Sequence, residues 1–288
     1  MSPYSLHRFG DLDAFAEAAE PFLLEDEAAH SLLLGLIGGI RAGEWKNPYL
    51  AIVERESGLR GAAPALVALR TPPHKLLLSR CDDLEALQPL LADAGLARGL
   101  TGVLGPATVA DAFAVGWIRS TSIPVRPGQR QRIYRLDRVS PVADVPGVVR
   151  RADESDRPIL STWMSGFLAE ALPGKPTDVS ETVDRWLGSP QRQLYFWDVD
   201  GHPVSMAGVG SPTPRGVRVS AVYTPPEKRR QGFAGTLVAE LSRRQLAAGR
   251  EFCCLFTDLA NPTSNRVYRQ LGYRPVCDAS EYLFGGTG

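Results

Sequence analysis

The apolar positions of the chain change period several times, and each change marks an element. The first half opens with YSLHRFGDLDAF and continues as an apolar-periodic run through 13–40. The second opens with VVRRADESDRPIL and a similar run through 156–172. In each, a short strand leads to acidic residues able to cap a helix. Three alternating stretches separated by Gly- and Pro-containing turns follow: PYLAIVERESGLRGAAPALVALRTPPHKLLLSR in the first half and QLYFWDVDGHPVSMAGVGSPTPRGVRVSAVYT in the second. Alternation of this kind predicts strands, and the Asp-Gly of VDGHP is a strong hairpin signal.

Each half then predicts helix, strand, helix and strand. In the first these are DLEALQPLLADAG, LTGVLG, TVADAFAVGW and RIYRLDR; in the second, GFAGTLVAELSRRQLAAG, FCCLFTD, PTSNRVYRQLG and RPVCDASEYLF. Between the halves, VSPVADVPGVV at 139–149 has two prolines, a glycine and little periodicity, and reads as a linker. The expectation is an α/β (α+β) protein of two domains, 1–140 and 146–288, alike in element order but not in residue identity. Two unrelated mixed α/β domains are the alternative.

Composition narrows the class. A chain of 288 residues, 44% hydrophobic and 22% charged, fits a globular protein of two domains. The net charge of +0 gives no general reason to expect nucleic acid or an anionic membrane as partner. No apolar stretch at the N-terminus suits a signal, and SLLLGLIGGI at 31–40 is too short to span a bilayer, so it reads as a buried helix face. Cys81, Cys253, Cys254 and Cys277 lack paired metal spacing, so neither a metal site nor a disulfide framework is expected, and a cytoplasmic protein is.

The densest cationic and small-residue stretch is EKRRQGFAGTLVAEL, 227–241. Cations at a helix start oppose the partial positive charge already there unless an anion sits on it. Pro225 and Pro226 end the preceding strand, because neither can donate a backbone N–H. Gly232, Ala234 and Gly235 allow a ligand close to the backbone, where several N–H groups can converge on a phosphate. Arg229 and Arg230 would add charge-assisted bonds. Two readings stand: a pyrophosphate cradle, or a solvated basic helix start packed through small residues. Neither a dinucleotide-binding G-x-G-x-x-G nor a P-loop occurs here.

R-x-x-G-x-A at Arg229–Ala234, preceded by VYTPPE, resembles the acyl-CoA motif of the GNAT N-acetyltransferases. NPTSNRVYRQLGYRPV at 261–276 resembles that family's second motif, with Asn261, Ser264, Tyr268, Gly272 and Tyr273 at its positions. The detailed resemblance covers about 150–288; the first half shares only the order of elements. The resemblance implies two tandem GNAT-like domains, each with a mixed, largely antiparallel sheet flanked by helices. It further implies transfer of an acetyl group from acetyl-CoA to a primary amine of a small molecule by direct attack.

In that reading, strand 219–224 splays from its neighbour 253–257, and Val222, Tyr223 and Thr224 line the gap. Arg229, Arg230, Gln231, Gly232, Phe233, Ala234, Gly235 and Thr236 hold the phosphates. Asn261 caps the last helix and reaches the pantetheine arm, and Asn265 is either a further contact or simply exposed. Tyr268 is the proton donor to the departing thiolate, or else a half-buried aromatic anchor. Asp258 is a base or substrate anchor, or else fixes the loop that follows it. Trp163, Phe167 and Glu170 line the acceptor pocket within 160–186, or else are core and surface. The first half carries Asp82, Asp83 and Glu85 where the cradle would be, so it is expected to leave CoA unbound and to act as a scaffold. A monomer or homodimer is expected. A protein N-acetyltransferase and a non-catalytic acyl-CoA sensor are the competing functions.

Overall fold

The computed structural model describes residues 2–56, 62–143, 145–171 and 178–285. The turn expected near 57–61 and part of the 160–186 lining fall outside them. The chain divides into two compact units: Met1–Ile133 with Val276–Gly288, and Tyr134–Pro275.

The first unit begins with strand β1 (Tyr4–Phe9), helices α1 (Leu12–Leu24) and α2 (Ser31–Arg41), and strands β2 (Tyr49–Glu56), β3 (Ala62–Arg70) and β4 (Leu76–Leu78). Helices α3 (Leu87–Leu91) and α4 (Ala94–Ala97), strand β5 (Gly102–Pro106), helix α5 (Ala107–Thr121) and strand β6 (Val125–Leu136) follow. Asp11 caps α1 by accepting the Ala14 N–H at 2.8 Å. SLLLGLIGGI forms α2, with Leu33, Leu34 and Ile37 buried, as its periodicity predicts. Strand β2 places Leu50 and Ile52 in the core beneath α1 and α2, and Tyr49, Ala51 and Val53 in the opposite core, the period-two alternation of a strand covered on both faces.

The second unit contains β7 (Val148–Arg151), α6 (Arg157–Ala171), α7 (Val179–Gly188), β8 (Gln193–Val199), β9 (His202–Gly210) and β10 (Gly216–Tyr223). It continues through α8 (Phe233–Ala247), β11 (Phe252–Asp258), α9 (Pro262–Gln270) and the start of β12 (Arg274–Phe284). Strands β7, β8, β9 and β10 pair antiparallel in sequence order, and β10 then pairs parallel with β11. Asp200 and Gly201 turn the β8–β9 hairpin with φ of 50° and 76°, the left-handed pair that the Asp-Gly signal requires. The element order of the first unit recurs, so each unit carries a mixed, largely antiparallel set of strands flanked by helices.

The compact units depart from the expected spans 1–140 and 146–288 at the C-terminus. Residues Ala279–Leu283 of β12 pair antiparallel with Gly102–Pro106 of β5, which assigns the last strand to the first unit. The aromatic side chain of Phe284 also stacks on Trp117, with ring centroids 5.0 Å apart. Among the described residues, no helix is long and apolar enough to cross a membrane.

Candidate functional site

The site lies wholly in the second unit and starts from an irregularity in β10. Its parallel pairing with β11 covers Gly216, Val217 and Arg218 only, opposite Phe252, Cys253 and Cys254. Beyond Arg218 the two strands part. On its other edge β10 pairs with β9, and the register shifts between Ser220 and Tyr223. Ala221, at φ 50°, is the bulged residue. The bulge inverts the alternation: Val217 and Val219 face the core beneath α8, whereas Ala221 and Tyr223 face the core beneath α6. Val222 is thereby turned toward α8 and the opened gap. A buried alanine held in left-handed space carries a cost of roughly 1–2 kcal/mol, and the opening between strands is what that conformation maintains.

The end of β10 is tied down from two sides. The Ser205 hydroxyl, on β9, lies 3.1 Å from the Tyr223 carbonyl oxygen and 2.9 Å from the Thr224 hydroxyl. The Arg229 Nε donates to the Thr224 carbonyl at 2.8 Å.

After Pro225 the chain makes one tight turn, Pro226–Lys228, and enters α8 through Arg230 at φ 64° and Gly232 at φ 87°. Gly232 is the N-cap and offers no side chain to the helix. The first bond closing α8 runs from the Thr236 N–H to the Gly232 carbonyl at 3.0 Å. The N–H groups of Phe233, Ala234 and Gly235 have no partner among the described residues and point out of the helix start. At Gly235 a Cβ would stand 3.4 Å from Val267 Cγ1, so α8 and α9 approach closely there.

Helix α9 forms the facing wall. Asn261 caps it, its Oδ1 accepting the Ser264 N–H at 3.0 Å, and Pro262 occupies the first helical position. Tyr268, two turns on, is 9% exposed and packs edge-on against Tyr273. Its hydroxyl has no hydrogen-bond partner among the described residues, and burial pushes its pKa up to about 12. The phenol is therefore protonated throughout the neutral range.

These parts enclose a cleft of about 630 Å³, within the ordinary range for a small-molecule site. Val222, Tyr223, Thr224, Arg229, Arg230, Gly232, Phe233, Ala234, Gly235, Asn261, Tyr268 and Glu170, all anticipated from the sequence, line it together. Pro226, Lys228, Thr263 and Val267 also line it and were not anticipated, as does Ser264, which the sequence marked only as a motif position. Thr263 could have been found from its place in the first turn after the Asn261 cap, and Lys228 from the basic run itself.

Six anticipated residues stand elsewhere. Gln231 is exposed and Thr236 half-buried, and neither borders the cleft. Asn265 is neither exposed nor turned to a ligand. It is 5% exposed, donates through Nδ2 to the carbonyls of Asp258 and Asn261 at 2.8 Å each, and accepts from the Tyr134 hydroxyl at 3.0 Å. Asp258 turns the chain into α9: its Oδ1 accepts the Ala260 N–H at 2.8 Å and its carbonyl accepts the Asn261 N–H at 3.1 Å. Trp163 is a core residue at 8% exposure, packed edge-on against Phe196 at 5.5 Å, and Phe167 packs against the same cluster. Glu170 reaches the cleft, but its Oε1 is held by Arg229 Nη2 at 2.6 Å. Among the described residues no cluster of His, Cys, Asp or Glu could hold a metal ion.

Solved structures share this architecture across nearly the whole chain. A Drosophila protein superposes with a TM-score of 0.68 at 12% identity, covering 97% of this chain and 98% of that one. A GCN5-related N-acetyltransferase from Sphaerobacter thermophilus gives 0.57 at 15%, covering 98% and 96%. One from Kribbella flavida gives 0.55 at 16%, covering 90% and 96%. The chain has the GNAT fold. Residues 201–283, which carry most of the cleft, match the family described as FR47-like protein. No curated protein matches the sequence.

Proposed function

We propose that the second unit is an N-acyltransferase that moves an acetyl group from acetyl-CoA to a primary amine of a small molecule, and that the first unit is a tandem domain which leaves CoA unbound. The observation that carries this is the convergence, on one cleft, of a strand end detached from its neighbour, a helix start with open N–H groups and a phenol without a partner.

The fit to acetyl-CoA rests on the chemistry of the donors. The N–H groups of Phe233, Ala234 and Gly235 and the cations Lys228 and Arg230 suit a pyrophosphate, and Gly232 supplies the left-handed turn, φ 87°, by which the chain enters the helix start. The parted β10 leaves the backbone of Val222 and the N–H of Thr224 open to an extended amide-bearing arm, while the Thr224 carbonyl is held by Arg229. Acetyl-CoA, when bound, supplies an acetyl group activated as a thioester. A backbone N–H at the end of β10 stabilises negative charge on the carbonyl oxygen during attack. The amine nitrogen bonds the carbonyl carbon as the C–S bond breaks, the Tyr268 hydroxyl donates its proton to the departing sulfur, and the proton lost from nitrogen passes through solvent to restore the phenol.

The test is thiol release from acetyl-CoA across a panel of primary amines, with wild type and Tyr268→Phe. The expected result is turnover with at least one amine. Removal of a general acid should lower kcat about 100-fold or more, while acetyl-CoA binding stays within about twofold of wild type. Tight binding without turnover on any amine would instead favour an acyl-CoA sensor. Full activity in Tyr268→Phe would remove the phenol from the chemistry.

A further inference from the structure

The first position of the R-x-x-G-x-A motif is committed to the protein itself. Arg229 Nε donates to the Thr224 carbonyl at 2.8 Å, and its Nη2 donates to Glu170 Oε1 at 2.6 Å. The guanidinium also stands over the Tyr223 ring, 5.7 Å from its centre. One side chain thus joins the end of β10, the loop before α8 and the last turn of α6. By contrast, the exposed cations Lys228 and Arg230 line the same cleft and have no ion-pair partner among the described residues.

Guanidinium geometry gives this division of labour its reason. The planar fork can bond a carbonyl and a carboxylate at once, which an ammonium cannot do with fixed direction. The carbonyl in question belongs to Thr224, next to the strand end that would flank the thioester. Arg229 therefore controls where β10 stops, and Glu170 controls Arg229.

We infer that Glu170 and Arg229 form a positioning brace for the acyl-CoA site, with the phosphate charge met by Lys228, Arg230 and the start of α8. This rests on the reading of the cleft given above. Glu170, anticipated as an acceptor contact, acts here through Arg229. The pair is partly exposed, with side chains 39% and 55% accessible for Arg229 and Glu170, so its variants should fold and its effect on binding is modest.

Calorimetric titration of acetyl-CoA into wild type, Glu170→Gln, Arg229→Glu and Arg229→Lys decides the matter. The brace predicts that Glu170→Gln weakens binding about two- to fivefold, the range of an exposed ion pair. Arg229→Glu, which sets two carboxylates against each other beside the phosphates, should weaken it about tenfold or more. Arg229→Lys keeps the charge but loses the fork that bonds the Thr224 carbonyl and Glu170 together, and should weaken binding at least as much as Glu170→Gln. If Arg229→Lys binds like wild type and Glu170→Gln binds more tightly, the cation at 229 is itself the phosphate ligand and the brace is refuted, with the acyl-CoA reading intact. Absence of binding in wild type would overturn that reading, and the brace with it.

Discussion

Replacing Gly232 by alanine tests the cradle through backbone geometry alone, without changing any charge. Gly232 has φ 87°, and an added Cβ would lie 3.1 Å from Val145 Cγ2. The left-handed conformation costs a residue with a Cβ roughly 1–2 kcal/mol, and Val145 must give way by a few tenths of an ångström. If the loop keeps its shape, stability falls by that amount, a shift of about 2–8 °C in Tm at this domain size. If the loop relaxes, the open N–H groups of Phe233–Gly235 lose their alignment. One charge-assisted hydrogen bond is worth about 1.5–3 kcal/mol, a loss of roughly 10- to 150-fold in affinity.

Gly249 supplies the control. It has φ 94° with nothing within 4 Å of an added Cβ, and it lies past the far end of the 15-residue α8. Gly249→Ala should show a comparable fall in Tm and unchanged acetyl-CoA affinity. Thermal melts paired with calorimetric titrations read both quantities. Unchanged affinity together with an unchanged Tm in Gly232→Ala would refute the cradle, because the loop has then relaxed without cost to binding. So would equal weakening by both variants.

Other outcomes follow from the same geometry. Asn265→Ala leaves the buried Tyr134 hydroxyl without its partner and takes one of two bonds from each of the Asp258 and Asn261 carbonyls, which keep a backbone N–H, so denaturant unfolding should show a loss of about 1–3 kcal/mol. Arg150 bonds Asp156 at 2.8 and 2.9 Å and Asp198 at 2.8 Å, and holds the Asp156 carboxyl below its usual range. This contribution is present above the unfolded carboxylate pKa of about 3.9 and is lost as pH falls through the lower folded value. Arg150→Met should cost about 1–3 kcal/mol at neutral pH, discounted for the partly exposed guanidinium, and reduce that acid-range dependence in urea melts. For Tyr268 the sign is opposite. Its folded pKa of about 12 lies above the unfolded value of about 10. The stabilisation is complete below pH 10 and disappears as pH rises through 12, up to roughly 3 kcal/mol. Wild type should therefore lose stability relative to Tyr268→Phe between about pH 9 and 12; parallel curves would contradict the desolvated phenol.

Much of the fold was legible because its signals are local. The Asp-Gly turn, the Asn261 cap with Pro262 after it, and the small residues at 232–235 each act within a few positions of chain. The bulge was not legible, because Ala221 adopts positive φ without the glycine that would announce it. Asn265 was misjudged for a different reason: its hydrogen-bond partner Tyr134 lies 131 residues earlier, and only the folded sheet brings them together. Trp163 and Phe167 could be read as pocket lining or as core, since helical periodicity cannot say which neighbour covers a face. Likewise RPVCDASEYLF was recognisable as a strand, but its pairing with β5 depends on topology rather than on pattern.

Calorimetric titration of acetyl-CoA into the wild-type chain, repeated with Arg230→Glu, is the most direct test. The account predicts one site per chain, with affinity lost or sharply weakened in the variant. Two sites per chain would contradict the silent first unit, and no binding would contradict the acyl-CoA cleft on which the catalytic role of Tyr268 depends.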